Sequence, residues 1–224
     1  MMESKNSVIN ILTSCVFTFF VALPSFASTP KSISDSYGHL KQRAFSEESS
    51  LSEKWQSLQK MARKDARKFQ KDVEIALKSK AWYMRNAALV ALNATSLKSL
   101  SQKWSRKLLF DKSLVVRTQA IRNLIELKDD GYSEKIYEAL NHQLNFRGTY
   151  SLWIRPYLAK ALVMQPPKDW KKVYRTMLGD KDAQVQAWGV IGLEKQSGLR
   201  LGKKTDSLEA KAQKWLTFFE NRQG

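Results

Sequence analysis

Beyond residue 50, apolar positions recur at three- and four-residue intervals rather than alternating. Trp55, Leu58, Ala62, Ala66, Phe69, Val73, Ala76 and Leu77 fall on one helical face. The pattern predicts one long helix from Ser50-Leu51-Ser52-Glu53, a capping-box sequence, towards Lys80. The opposite face carries Lys60, Arg63, Lys64, Arg67, Lys68 and Lys71. Acidic partners one turn away would be expected on a merely solvated face, and this arc has few of them. The six cations are therefore candidates for contact with an anionic partner, as one continuous stripe.

Further along, the pattern repeats itself. Four segments open on Met84-Arg85, Val116-Arg117, Ile154-Arg155 and Val185-Gln186. Three residues after the Arg or Gln stands Ala88, Ala120, Leu158 or Gly189, and four further on a Leu closes the segment. From Arg85 to Arg117 the spacing is 32 residues, to Arg155 38 more, and to Gln186 31. Another helical segment precedes each, at roughly 68–79, 97–110, 133–146 and 167–178. One such pair cannot bury its apolar stripe alone, whereas stacked pairs share a continuous core. A last amphipathic segment, Asp206 to Arg222, has capping-box spacing between Asp206 and Glu209. It brings Trp215, Leu216, Phe218 and Phe219 to close the open end of the stack.

These segments resemble the HEAT family, whose second helix carries an Asp followed by Val-Arg, Ala and Leu at fixed spacing. Asp111 with Val116, Arg117, Ala120 and Leu124 matches best. Asp180, Val185 and Leu193 follow, with Gln186 replacing the arginine; Ser79 and Thr149 stand where the first and third units lack the aspartate. The resemblance implies an all-α, right-handed α-α superhelix of about four or five helix pairs. It also implies that the recurrent arginine bonds neighbouring repeats rather than a ligand. The repeat domain would occupy residues 50–222, behind a polar, Ser-containing linker over 28–49.

Residues 1–27 depart from this pattern. Lys5 precedes an apolar run from Val8 to Leu23, Pro24 ends it, and Ser25-Phe26-Ala27 supplies the small residues of a cleavage site. This reads as a signal peptide cut after Ala27, so a periplasmic or secreted location is expected. The alternatives are an uncleaved anchor, or lipidation at Cys15. Leu12-Thr13-Ser14-Cys15 resembles a lipobox, yet most of the apolar run follows the cysteine. Cys15 is the single cysteine, so the mature chain has neither a disulfide nor a thiolate metal site.

Charge narrows the partner class. With 38 Lys and Arg against 21 Asp and Glu, the net charge is +17. That surplus points to a polyanion or an acidic protein. Only His39 and His142 exist, and no nucleophile elbow, phosphate loop or His-Glu pair accompanies them. No catalytic, cofactor-binding or metal-ligating residue is assigned. Trp55, Trp104, Trp170, Trp188 and Trp215 sit in helical register and read as core. Trp82 and Trp153, at turns entering second helices, are the candidates for exposed contacts. The expectation is a monomeric, non-catalytic scaffold of the cell envelope that needs no cofactor and binds a protein or an anionic envelope polymer. An anionic membrane surface is a further partner. The rival reading is a nucleic-acid-binding protein, or an enzyme like the alkylpurine DNA glycosylases with HEAT-like folds; export argues against nucleic acid.

Overall fold

A computed structural model describes residues 36–221, so the segment read as a signal peptide lies outside the described residues. The described chain is all-α. Eleven helices are joined by short turns, two single 3-10 turns and one small hairpin. They are α1 Tyr37–Phe45, α2 Leu51–Lys64, α3 Ala66–Leu77, α4 Trp82–Asn93, α5 Lys98–Leu108 and α6 Leu114–Glu126. After these come α7 Ser133–Asn141, α8 Arg155–Met164, α9 Trp170–Leu178, α10 Ala183–Ser197 and α11 Leu208–Glu220. The pairs α3/α4, α5/α6, α7/α8 and α9/α10 coincide with the four repeats, and α1/α2 forms a pair ahead of them.

Side-chain caps start α1, α2, α3, α10 and α11. The capping box at Ser50 is formed: its hydroxyl accepts from the Glu53 amide while the Glu53 carboxylate accepts from the Ser50 amide. The single helix expected from 50 to 80 is broken at Asp65, which ends α2 and caps α3 by accepting from the Lys68 amide at 3.0 Å. Its backbone is extended, with φ −155° and ψ 93°. Apolar periodicity runs straight across this break, so only the aspartate's preference for a cap over a helix interior signals it.

The linker expected over 28–49 contains α1. Ser36 caps it, Leu40 and Ala44 are buried, and Asp72 on α3 accepts from the Tyr37 hydroxyl at 2.9 Å and pairs with Lys41 at 2.7 Å. At the other end, Ser207 rather than Asp206 caps α11, accepting from the Ala210 amide. Asp206 instead accepts from the Lys203 amide and pairs with Lys214.

Two elements depart from pure helix. Phe146–Arg147 pairs antiparallel with Tyr150–Ser151 around Gly148-Thr149, and Gly148 takes φ +61°, open to glycine at no steric cost. This hairpin occupies six residues of the third unit, matching its longer spacing of 38 against 32. Small residues permit close helix approach elsewhere. A Cβ on Gly192 would lie 2.8 Å from the Tyr174 ring, and one on Gly189 would lie 3.0 Å from the Met177 Cβ.

Ala88 and Ala120, on adjoining helices α4 and α6, are fully buried. Replacing Ala120 with Leu is expected to destabilise the fold by about 1–3 kcal/mol through overpacking, read as a lower urea midpoint. An unchanged midpoint would mean that the site has room.

Candidate binding surface

The recurrent arginines stitch the repeats together. Each bonds oxygens of its own unit and reaches forward to the interhelix connection of the next. Arg85 donates to Ser79 and Lys80 oxygens at 2.8 and 2.9 Å, and through Nε and Nη2 to the Asp111 carboxylate, both at 2.7 Å. Arg155 donates to the Leu140 carbonyl and Ser151 Oγ, and grips Asp180 at 3.0 and 2.6 Å. Arg117 finds no carboxylate at the end of its reach. It donates to the Asp111 and Lys112 carbonyls of its own loop, then to Asn145 Oδ1 at 2.9 Å and the Leu144 carbonyl. Gln186 keeps only the backward bond, to the Asp180 carbonyl at 2.7 Å.

All three guanidinium groups are buried and committed within the chain, so none is presented to a ligand. Burial pushes the Arg117 guanidinium below its usual range, with the Asp111 charge opposing it. The third unit's acceptor is Asn145 rather than position 149, because the hairpin displaces the loop; sequence alignment at fixed spacing missed it.

The candidate residues on the remaining surface fall in two regions. In the first, Lys60, Arg63, Lys64, Arg67, Lys68 and Lys71 are all exposed. The break at Asp65 places the first three on α2 and the last three on α3, so they form two adjoining clusters and not one helical stripe. Arg63 donates to Gln59 at 3.2 Å, and Lys68 stands 3.7 Å from Asp65 and over the Tyr37 ring. Among the described residues, no carboxylate lies within ion-pair distance of Lys64, Arg67 or Lys71.

The second region is the layer of helices α2, α4, α6, α8 and α10, which pack side by side along the chain. Trp82, the first residue of α4, is 48% exposed; Trp153, just before α8, is 51% exposed. Each lines a groove. Trp82 joins Leu51, Trp55, Tyr83 and Val115 around an apolar groove of about 330 Å³ bridging α2, α4 and α6. Trp153 joins Tyr157, Lys160 and Trp188 around a more open one of about 540 Å³ at α8 and α10. Arg122 of α6 lies against this second groove, its guanidinium 5.2 Å from the centre of the Tyr157 ring.

Of the five tryptophans expected in the core, Trp104 and Trp215 are buried, while Trp55, Trp170 and Trp188 are only partly so. Trp55 and Trp188 belong to the groove walls. The repeat register holds the missed signal: two residues before each Arg or Gln stand Tyr83, Val115, Trp153 and Gln184, and every one of them lines a groove. No group of histidine, cysteine and carboxylate side chains suited to a metal ion occurs among the described residues. Nor is any described helix long and apolar enough to cross a membrane. Comparison of the sequence with protein-family models and with curated proteins finds no match.

Proposed function

We propose that this chain is a HEAT-like, non-catalytic binding scaffold of the cell envelope, which holds a protein partner on the exposed face of its second-helix layer. One observation carries this reading. Trp82 and Trp153 stand half-exposed on the same layer, each in a groove walled by further aromatic side chains. Aromatic side chains left in water at such cost are the anchors on which binding energy concentrates. The +17 charge favours an acidic partner and fast encounter with it.

The test is capture from envelope extract by the immobilised protein, quantified by mass spectrometry. The Trp82→Ala, Trp153→Ala double variant is expected to lose the species held by the wild type. An unchanged set overturns the reading. Export is checked by sequencing the native N-terminus, expected to start at Ser28; an intact Met1 on the soluble protein overturns that part.

The clusters on α2 and α3 add a non-specific electrostatic contribution. Reversing Arg63, Arg67 and Lys71 to Glu is expected to weaken binding to anionic vesicles and envelope polymer, with the wild-type affinity falling as salt rises. Equal affinity at two salt concentrations, with helicity unchanged, would reduce these faces to solvated surface. A nucleic-acid reading draws on the groove at α8 and α10, where Asp182 joins the aromatics and Lys160. The Asp182 carboxylate, however, accepts from the Gln184 amide at 2.9 Å and caps α10. Duplex DNA in the same assay separates the two readings.

A further inference from the structure

The groove between α2, α4 and α6 contains a polar group that the fold does not use. Asn86, in the second turn of α4, is only 9% exposed and belongs to the groove lining. Its Oδ1 is sealed from solvent with no hydrogen-bond partner, and its amide nitrogen bonds nothing among the described residues. Gln165 also leaves its Oε1 unpartnered, but its amide nitrogen donates to the Leu124 carbonyl, and the other two buried carboxamides are used at both ends. Asn123 on α6 donates to the Leu89 carbonyl and accepts from Gln119. Asn145 accepts from Arg117 and donates to the Ala139 carbonyl. An unmet amide in a helix interior costs stability, and asparagine is a poor helix former there. Leucine at the same place would fill similar volume at no polar cost, so the fold itself gains nothing from the Asn86 carboxamide.

The lining says what could use it. With Oδ1 sealed, the amide NH2 is the end left to meet a ligand, and it suits a main-chain carbonyl. Around it, Leu51, Trp55, Trp82 and Val115 form apolar walls whose volume suits one or two bulky side chains. Lys54 is the one cation of the lining, and no carboxylate lies within ion-pair distance of it among the described residues. A sugar polymer would need more polar partners than these walls supply, and a nucleic acid would need more cations.

We propose that this groove holds an extended acidic segment of a partner polypeptide, with the Asn86 amide nitrogen donating to one of its main-chain carbonyls and Lys54 pairing with one of its carboxylates. A bulky apolar side chain of the segment packs between Trp55 and Trp82. The proposal rests on the reading of the second-helix layer as the binding face and adds the chemistry of what that face takes.

The experiment uses the full chain and a fixed panel of short synthetic peptides. Each carries one Leu, Phe or Trp among Asp and Glu, or among Ser and Gly in the neutral set; heparin is the anionic polymer without apolar groups. Wild type is expected to bind the acidic peptides better than the neutral set, while heparin, held by the clusters on α2 and α3, is expected to be indifferent to the groove substitutions. Asn86→Leu is expected to weaken them about tenfold or more while its melting temperature stays level or rises. Lys54→Glu is expected to weaken the acidic set and spare the neutral one. Undiminished peptide binding by Asn86→Leu, or a lowered melting temperature, overturns the proposal. If the Trp82/Trp153 variant loses its captured partner while Asn86→Leu keeps it, the groove chemistry fails and the scaffold stands. If the tryptophan variant captures the wild-type set, the scaffold reading itself fails.

Discussion

Replacing Arg155 with Ala is expected to lower the folding free energy by about 3–5 kcal/mol, enough to unfold much of a marginally stable domain. Arg155 is 2% exposed, and its loss strands the Asp180 carboxylate, which would keep only the Asp182 amide of its present side-chain partners. The Leu140 carbonyl and Ser151 hydroxyl lose a donor as well. The cost arises chiefly from the buried charge left behind, so removing both charges should hurt less than removing one. The double variant Arg155→Met, Asp180→Leu is therefore expected to regain part of the stability in urea denaturation. A double variant as unstable as the single one would show that packing, and not the stranded charge, sets the cost.

The same pair carries a pH dependence. Burial pushes the Asp180 carboxyl up, but the hydrogen bond from Arg155, the Asp182 amide and the Arg155 charge outweigh it and hold the group below the usual carboxylate range. A depressed folded-state value means the contribution is fully present above the unfolded carboxylate range, near pH 4. It is lost as pH falls through the folded value. Acid destabilisation that begins below about pH 4 in the wild type should be shallower in the double variant.

The second large effect belongs to the far end. Trp215→Ala is expected to destabilise by about 3–5 kcal/mol. Trp215 is 1% exposed and holds α11 onto α9 and α10, with Phe218 and Phe219 at ring-centre distances of 5.5 and 6.1 Å. Without it, the last repeat would present its apolar side to water, which repeat arrays do not tolerate at their ends. Limited proteolysis should cut first near Gly198–Asp206, on the connection into α11. Cleavage elsewhere at the wild-type rate would mean that α11 is not the cap.

The repeat was legible because a few residues recur where physics allows little choice. Arg117 and Arg155 must reach two loops, and Ala88 and Ala120 must let helices approach. Shorter signals were not legible. Helix α1 buries only Leu40 and Ala44 within nine residues, too few to show a period. Asp65 interrupts the helix without interrupting the apolar stripe. Asn145 replaces an aspartate at a displaced position, and no fixed-spacing alignment could find it. At the candidate site, Trp82 and Trp153 were visible as turn residues. Asn86 was hidden, because a sequence does not say which buried amides lack partners.

The core has a seam. One group of buried side chains runs from Leu40 to Ala120, another from Leu109 to Trp215, and consecutive residues divide between them: Leu108 from Leu109, and Ala120 from Ile121. Helix α6 thus contributes buried side chains to both groups. The rung of the arginine ladder that spans this junction is Arg117, the one whose forward partners are neutral oxygens. At the middle of the array the neutral tie and the divided packing coincide. Such a junction is where local opening is expected to begin, ahead of fraying into single repeats.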